Sequence, residues 1–309
     1  TISFIMNAQL TAVTEGGNTG QRLSISNASN HGNIGSDAVD LSVQSLASST
    51  RGATGFKAVA MGSNTTASGS ISTAIGNANE ASGTFSTSMG VSTLASGYGS
   101  TSMGNYTVAN GWHSTAMGSN TTASGSYSTA IGLYATASDY SSTVIGQHNS
   151  SGSSVTNNAT SFSTSNTAFV IGNGENSDNK SDAFKVMFDG TTTIAGDLTI
   201  NSDARLKANI TSLGGTLAKL LKIDGKSYTM KKDQSEKQKI GLLAQDIQKV
   251  FPELVLESQG IKSVNYQGLV PVIINALKEQ DRKMKEQDRK MREQEERLER
   301  LERLVANMD

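Results

Sequence analysis

The sequence predicts a mainly β chain that ends in α structure. Three observations carry that expectation. A fourteen-residue repeat fills much of the first half, the chain changes character after Ile200, and a heptad pattern runs through the last thirty-three residues. Charge separates the same regions. Residues 52–150 hold three charged side chains, Lys57, Glu80 and Asp139, whereas residues 277–309 hold ten of each sign. At 309 residues the chain has room for two or three domains of ~100–200 residues. The expected order is a β and irregular lead-in over 1–51, repeats over 52–150, a β connector over 151–201, an α+β domain over 202–276 and a coiled coil over 277–309.

Composition excludes several functions. Aromatic residues make up only 5% of the chain and charged residues 17%, too lean for a large α/β enzyme core. The net charge of −1 offers no basic stripe for nucleic acid. With no Cys there are no disulfides, thiol nucleophiles or Cys–zinc sites. The three His (31, 113 and 148) have no metal-like spacing, so neither metal nor cofactor is expected. No apolar run approaches the ~18 residues of a membrane helix. The chain opens on Thr1 rather than Met, and a trimmed start would have removed any leader or attachment region.

In the repeat, Gly recurs at 62, 76, 90, 104, 118, 132 and 146, each preceded by Met or Ile. A second column is Ala at 67, 81, 95, 109, 123 and 137; Ser-Thr pairs recur from Ser72-Thr73 to Ser142-Thr143. One unit reads STAIGxxxxASGxx. Fourteen residues are too few for a helix pair and suit one β-solenoid coil of two short strands and two tight turns. Gly follows each strand, where a turn demands positive φ. Coils stack at about 4.8 Å, so seven would span roughly 30 Å. Ala and Ser columns make a thin core, which points to association through the Met/Ile column. Runs such as TAMGSNTTASGSYSTAIG resemble the head repeats of trimeric adhesins, which also occur in phage tail fibres. The resemblance implies a left-handed parallel β-roll with three chains side by side. Beyond it, AFVIGNG and AFKVMFDGTTTIAGDLTI alternate as strands with Gly turns.

After Ile200, SDARLK, GLLAQ and YQGLVPVIINALKE together resemble the intramolecular chaperone auto-processing domain of endosialidase-type phage tailspikes, over roughly 202–280. That family implies a trimeric chaperone that helps the preceding fibre assemble and then cuts itself off before the motif serine. Carried over by residue, Ser202 is the nucleophile, Lys207 the base, and Asn201–Ser202 the scissile bond. The activity would be a single-turnover serine self-endopeptidase with no external substrate.

The chemistry is coherent on its own terms. A serine hydroxyl needs a base, and Lys serves only when neutral. Free Lys titrates near ~10.4, so burial or a neighbouring cation must depress it, and Arg205 is the nearest cation. Backbone amides or Gln245 would stabilise the oxyanion. A spacing of five puts Ser202 and Lys207 ~140° apart on a helix and on opposite faces of a strand. Either a bend intervenes or Lys207 comes from another chain. The structural alternative makes Ser202 an N-cap, with Asp203 in the first turn and Lys207 solvated.

In the last segment Val270, Leu277, Met284, Met291, Leu298 and Val305 are seven apart, with Ile273, Gln280, Gln287, Gln294, Leu301 and Met308 in the second seam position. This is a parallel coiled-coil pattern with charges outside; a single solvated helix held by i,i+4 pairs is the alternative. Two aromatic columns stand in the repeats: Tyr98, Trp112 and Tyr140 in one, Phe85, His113 and Tyr127 in the next. An Ala/Ser core is too thin to bury them, which points to an exposed patch that stacks on sugar rings, or to packing between protomers.

The functional expectation is a trimeric fibre for host or surface recognition, located on a virion tail or outside the cell. Its partners would be two further copies and a cell-surface glycan or protein receptor, with no nucleic acid and no membrane insertion. A chaperone-tipped fibre that stays uncut is one alternative. An ice- or mineral-binding solenoid is another, because the Thr column offers a template. A membrane-anchored adhesin would need ~10-residue alternating barrel segments where this sequence has a charged coil.

Overall fold

A computed structural model describes residues 9–231 and 237–307. The apolar run at 2–6 and the seam residue Met308 lie outside them. The chain forms two compact units, Thr1–Ile200 and Asn201–Asp309.

The first unit opens with an antiparallel hairpin, Leu10–Glu15 against Asn18–Leu23, turned at Gly16 and Gly17 with φ of 57° and 84°. Asn18–Leu23 then pairs in parallel with Val39–Val43, which pairs in parallel with Val59–Ser63. From there a five-residue strand returns every fourteen residues, through Thr73–Asn77 and on to Thr143–Gln147. Each stacks in register on the last, Met61 beside Ile75 and Gly62 beside Gly76. Two-residue strands from Gly52–Ala53 to Thr136–Ala137 form a second parallel sheet. One coil is therefore a long strand, a turn, a short strand and a turn, as the period predicts. The sheet outruns the repeat at both ends, because Thr167–Asn173 also pairs in parallel with Thr143–Gln147. Asp182–Met187 and Thr192–Ile194 close it antiparallel.

Strand alternation turns one side of each coil inward. The inward column of the long strands runs Asp40, Ala60, Ala74, Ser88, Ser102, Ala116, Ala130, Val144 and Val170, all fully buried. The Ala67-to-Ala137 column and the Ser72-to-Ser142 column are buried too. So is a column the repeat did not flag as internal, containing Thr65, Asn79, Thr93, Thr107 and Thr121. Its members bond within the core: Thr93 Oγ1 lies 2.6 Å from Ser88 Oγ and donates to Asn79 Oδ1 at 2.9 Å. The core is small and partly polar. The adjoining Met/Ile column points outward and is half-buried or exposed.

The glycines act differently from the sequence expectation. Gly104 has φ of 123°, but it sits inside the strand Thr101–Asn105, and a Cβ there would collide with the carbonyl oxygen of Gly118 in the next coil. The Gly69-to-Gly125 column is not left-handed at all; it is fixed by the same close approach of successive backbones. The left-handed turn positions are filled mostly by other residues, among them Asn64, Ile71, Phe85, Tyr106, His113 and Tyr127, with φ between 51° and 60°. Stacked backbone bonds such as His113 N–H to Tyr98 O at 2.7 Å hold these turns, offsetting a conformational cost of about 1–3 kcal/mol each.

Both ends of the small core are closed by buried carboxylates. Asp40 receives His31 Nδ1 at 2.8 Å and the Ser42 hydroxyl at 2.5 Å, with Arg22 Nε at 3.4 Å. Arg22 in turn grips Glu15 at 2.6 and 3.0 Å. Burial pushes the Asp40 carboxyl up, but the hydrogen bonds from His31 and Ser42 outweigh it and hold the group below the usual range. Asp139, fully buried, accepts from Thr156 N–H at 2.6 Å and from Thr167 N–H and hydroxyl at 2.8 and 2.5 Å.

The second unit is α+β. Helix α1 covers Thr216–Leu220, α2 Ala244–Val250 and α3 Leu269–Ala306. Lys226–Tyr228 pairs with Lys239–Gly241, and Val255–Ser258 with Ile261–Val264, both antiparallel. The core is Ile247, Phe251, Leu254, Leu269 and Val272, flanked by Leu220, Leu242 and Val264. Burying each large side chain contributes about 1.5–3 kcal/mol. The first turns of α3 belong to this core, and the helix runs unbroken from it through the heptads. Pro271 is tolerated because first-turn N–H groups need no intrahelical partner. Further along, Leu277, Met284, Met291 and Leu298 are exposed in the single chain, while Asp281–Lys285 and Glu286–Lys290 pair on its surface at 2.8 Å.

Candidate active site

Ser202 and Lys207 meet within one chain. A single 3-10 turn, Ala204–Leu206, supplies the bend that five-residue spacing demands, and Lys207 Nζ donates to Ser202 Oγ at 2.6 Å. The turn forms because Asp203 caps it, its carboxylate accepting Arg205 N–H at 2.8 Å. The cap is thus Asp203, and the alternative that made Ser202 the N-cap is corrected: Ser202 stands one residue too early and its hydroxyl goes to Lys207.

Arg205 also folds back on Asp203, Nε at 3.0 Å and a terminal nitrogen at 2.7 Å. That ion pair holds the Asp203 carboxyl below its ordinary range and the Arg205 guanidinium above its own. Arg205 is therefore occupied by a carboxylate rather than presented as a bare cation to Lys207. Asn201, Ser202 and Lys207 are all exposed in the single chain. Gln245, in the first turn of α2, lines a groove with Tyr228, Leu242, Lys262 and Tyr266. Among the described residues it makes no hydrogen bond to Ser202 or Lys207, and no group of three or more His, Asp or Glu is placed to hold a metal ion.

In the first unit the two aromatic columns interleave into one ladder. Ring centroids are 5.4 Å apart for Phe85–Tyr98, 5.7 Å for Tyr98–Trp112, 5.4 Å for Trp112–Tyr127 and 5.5 Å for Tyr127–Tyr140. His113 stacks on Tyr127 at 5.5 Å. Sequence spacing gave the columns; the links between them required the turn geometry.

Comparison with known proteins finds one family match in each unit. The YadA head domain repeat matches overlapping pairs of coils from 53–79 to 123–149. The chaperone of endosialidase family matches residues 202–256, which include Ser202, Lys207 and Gln245. These matches support a phage tail fibre or adhesin with a chaperone domain. The long tail fiber protein Gp37 of Escherichia phage AR1 is 31% identical over 100 residues, covering 29% of this chain and 9% of that relative. The fibre chain thus spans a small part of that relative's length. No helix among its described residues is long and apolar enough to cross a membrane.

Proposed function

We propose that this chain forms a trimeric fibre for host or surface recognition, and that its chaperone domain promotes trimerisation and then releases itself between Asn201 and Ser202. The observation that carries the reading is the 2.6 Å contact of Lys207 Nζ with Ser202 Oγ, at the start of the segment that matches the chaperone family. Trimerisation draws support from the exposed apolar surface of the second unit, where Leu206, Ile210, Ile240, Leu256 and Ile261 are each at least 68% accessible. Apolar surface of that kind marks a partner interface. The outward Met/Ile column and the α3 seam add to it, the seam as a parallel three-stranded coil and the roll as a left-handed one.

In the proposed reaction Lys207 first gives up the proton with which it donates in the resting geometry. It then accepts the hydroxyl proton as Ser202 Oγ attacks the carbonyl carbon of Asn201. The tetrahedral oxyanion collapses, the Asn201–Ser202 C–N bond breaks, and the serine nitrogen leaves as an amine, taking the proton back from Lys207. Water hydrolyses the resulting ester to the Asn201 carboxylate and a free Ser202 hydroxyl. Backbone amides, or Gln245 brought from a neighbouring chain, would hold the oxyanion. Assembly would be the trigger, since a covering chain removes water and disfavours the ammonium form.

The exposure of both side chains in the single chain favours a second reading, a chaperone-tipped fibre that stays uncut. Intact mass of the purified protein separates the two: residues 1–201 and 202–309 as distinct species support processing, and a single full-length species supports the uncut fibre.

A further inference from the structure

The aromatic ladder has a character that neither the repeat nor the chaperone domain requires. Phe85, Tyr98, Trp112 and Tyr127 are 41–49% accessible, half of each ring being open while the rest leans on its neighbours. Phe85, His113 and Tyr127 occupy left-handed turn positions that backbone bonds from adjacent coils fix, including Tyr127 N–H to Trp112 O at 2.7 Å. The rings are therefore preorganised rather than mobile.

Two features decide what covers them. A contact between parallel copies repeats with the coil, as the Met/Ile column does at every level from Leu41 to Ile171. The ladder is local: one coil earlier its positions hold Ser70 and Ile71, and Ser141 ends its second column. The sequence between Ala81 and Ser138 contains no Asp, Glu, Lys or Arg. Such a surface offers no counter-charge to a phosphate backbone or an acidic sugar. It matches an uncharged ligand with flat apolar faces and a polar rim. A pyranose ring fits, its C–H face stacking on the aromatic rings and its hydroxyls accepting from Tyr O–H and indole N–H.

We propose that Tyr98, Trp112, Tyr127 and Tyr140 form a binding site for a neutral hexopyranose glycan laid along the roll, and this rests on the fibre reading above. Trp112 is the one tryptophan of the chain, so its fluorescence reports the site directly. Full-length protein is titrated with hexaoses of glucose, mannose and galactose, with oligothymidylate and a sialylated oligosaccharide as charged comparisons. At least one neutral hexaose should give a saturable emission shift, weakened about fivefold in Tyr98→Ala and Tyr127→Ala, with neither charged probe acting. The proposal is overturned if no neutral hexaose moves the emission, if both variants bind as the parent does, or if a charged probe binds instead. It is also overturned if Trp112 already emits as a buried indole in the assembled fibre and Tyr98→Ala prevents assembly, because a second copy then covers the ladder. Host-cell adhesion of the parent, measured alongside, tests the fibre reading separately: adhesion without a sugar response overturns this site and leaves that reading standing.

Discussion

The carboxylate of Glu279 in α3 accepts both the backbone N–H and the hydroxyl of Thr216, each at 2.9 Å. It thereby closes the N-terminus of α1, whose own cap position, Gly215, has no side chain to do so. The bond from the Thr216 N–H, then that from its hydroxyl, holds the Glu279 carboxyl below its ordinary 4.5. Because the folded value is depressed, the stabilisation is present above 4.5 and is lost as pH falls through the lower folded value. Glu279→Ala should lower the melting temperature of the second unit at pH 7. The difference from the parent should shrink on acidification below 4.5, as differential scanning would show.

Ser202→Ala and Lys207→Ala should each give full-length protein that still assembles, because losing an exposed side chain leaves the chaperone core intact. Lys207→Arg should also stay uncut, since Arg cannot act as a base in a protein. N-terminal sequencing of the parent should read Ser-Asp-Ala from the released fragment; a cut elsewhere, or undiminished cleavage in Ser202→Ala, would remove the mechanism.

Cleavage in the assembled protein should slow as pH falls, because only neutral Lys207 accepts the serine proton. Chains kept unfolded or monomeric should stay intact throughout. A time course by intact mass across pH 5 to 9 reads both; cleavage that is faster at low pH contradicts a lysine base.

Gly104→Ala should destabilise the roll by about 3 kcal/mol or more, combining a collision with the Gly118 carbonyl and a φ of 123° that L-residues avoid. Thermal unfolding followed by far-UV dichroism measures it. Substituting the adjoining Met103, which points outward, should leave the fold of one chain intact and weaken association instead.

Asp40→Ala should cost about 1–3 kcal/mol, because it leaves the buried His31 Nδ1 and the Ser42 hydroxyl without their acceptor, while Arg22 keeps Glu15. Deleting 277–309, by contrast, should reduce the yield of soluble trimer more than it affects fibre already folded, which size-exclusion with light scattering would resolve.

The sequence by itself determined what depends on period and spacing. Recurrence every fourteen residues fixed a stack of β coils, since strands in register force like residues above like. The spacing of Leu277, Met284 and Leu298 fixed a long helix. The order SDARLK, GLLAQ, YQGLVP located a chaperone domain and the Ser202–Lys207 pair. Only the tertiary structure decided what depends on distance across the chain. The glycine columns proved to answer backbone approach between coils, a constraint with no signature inside one repeat, and left-handed turns proved open to Phe85, His113 and Tyr127. Asp40 and Asp139 close the core with partners nine to twenty-eight residues away in the chain, among them His31, Arg22 and Thr167, and those distances are invisible to periodicity. Asp203 rather than Ser202 caps the turn, because the side chain that reaches the Arg205 N–H wins the cap and leaves the serine hydroxyl free for Lys207.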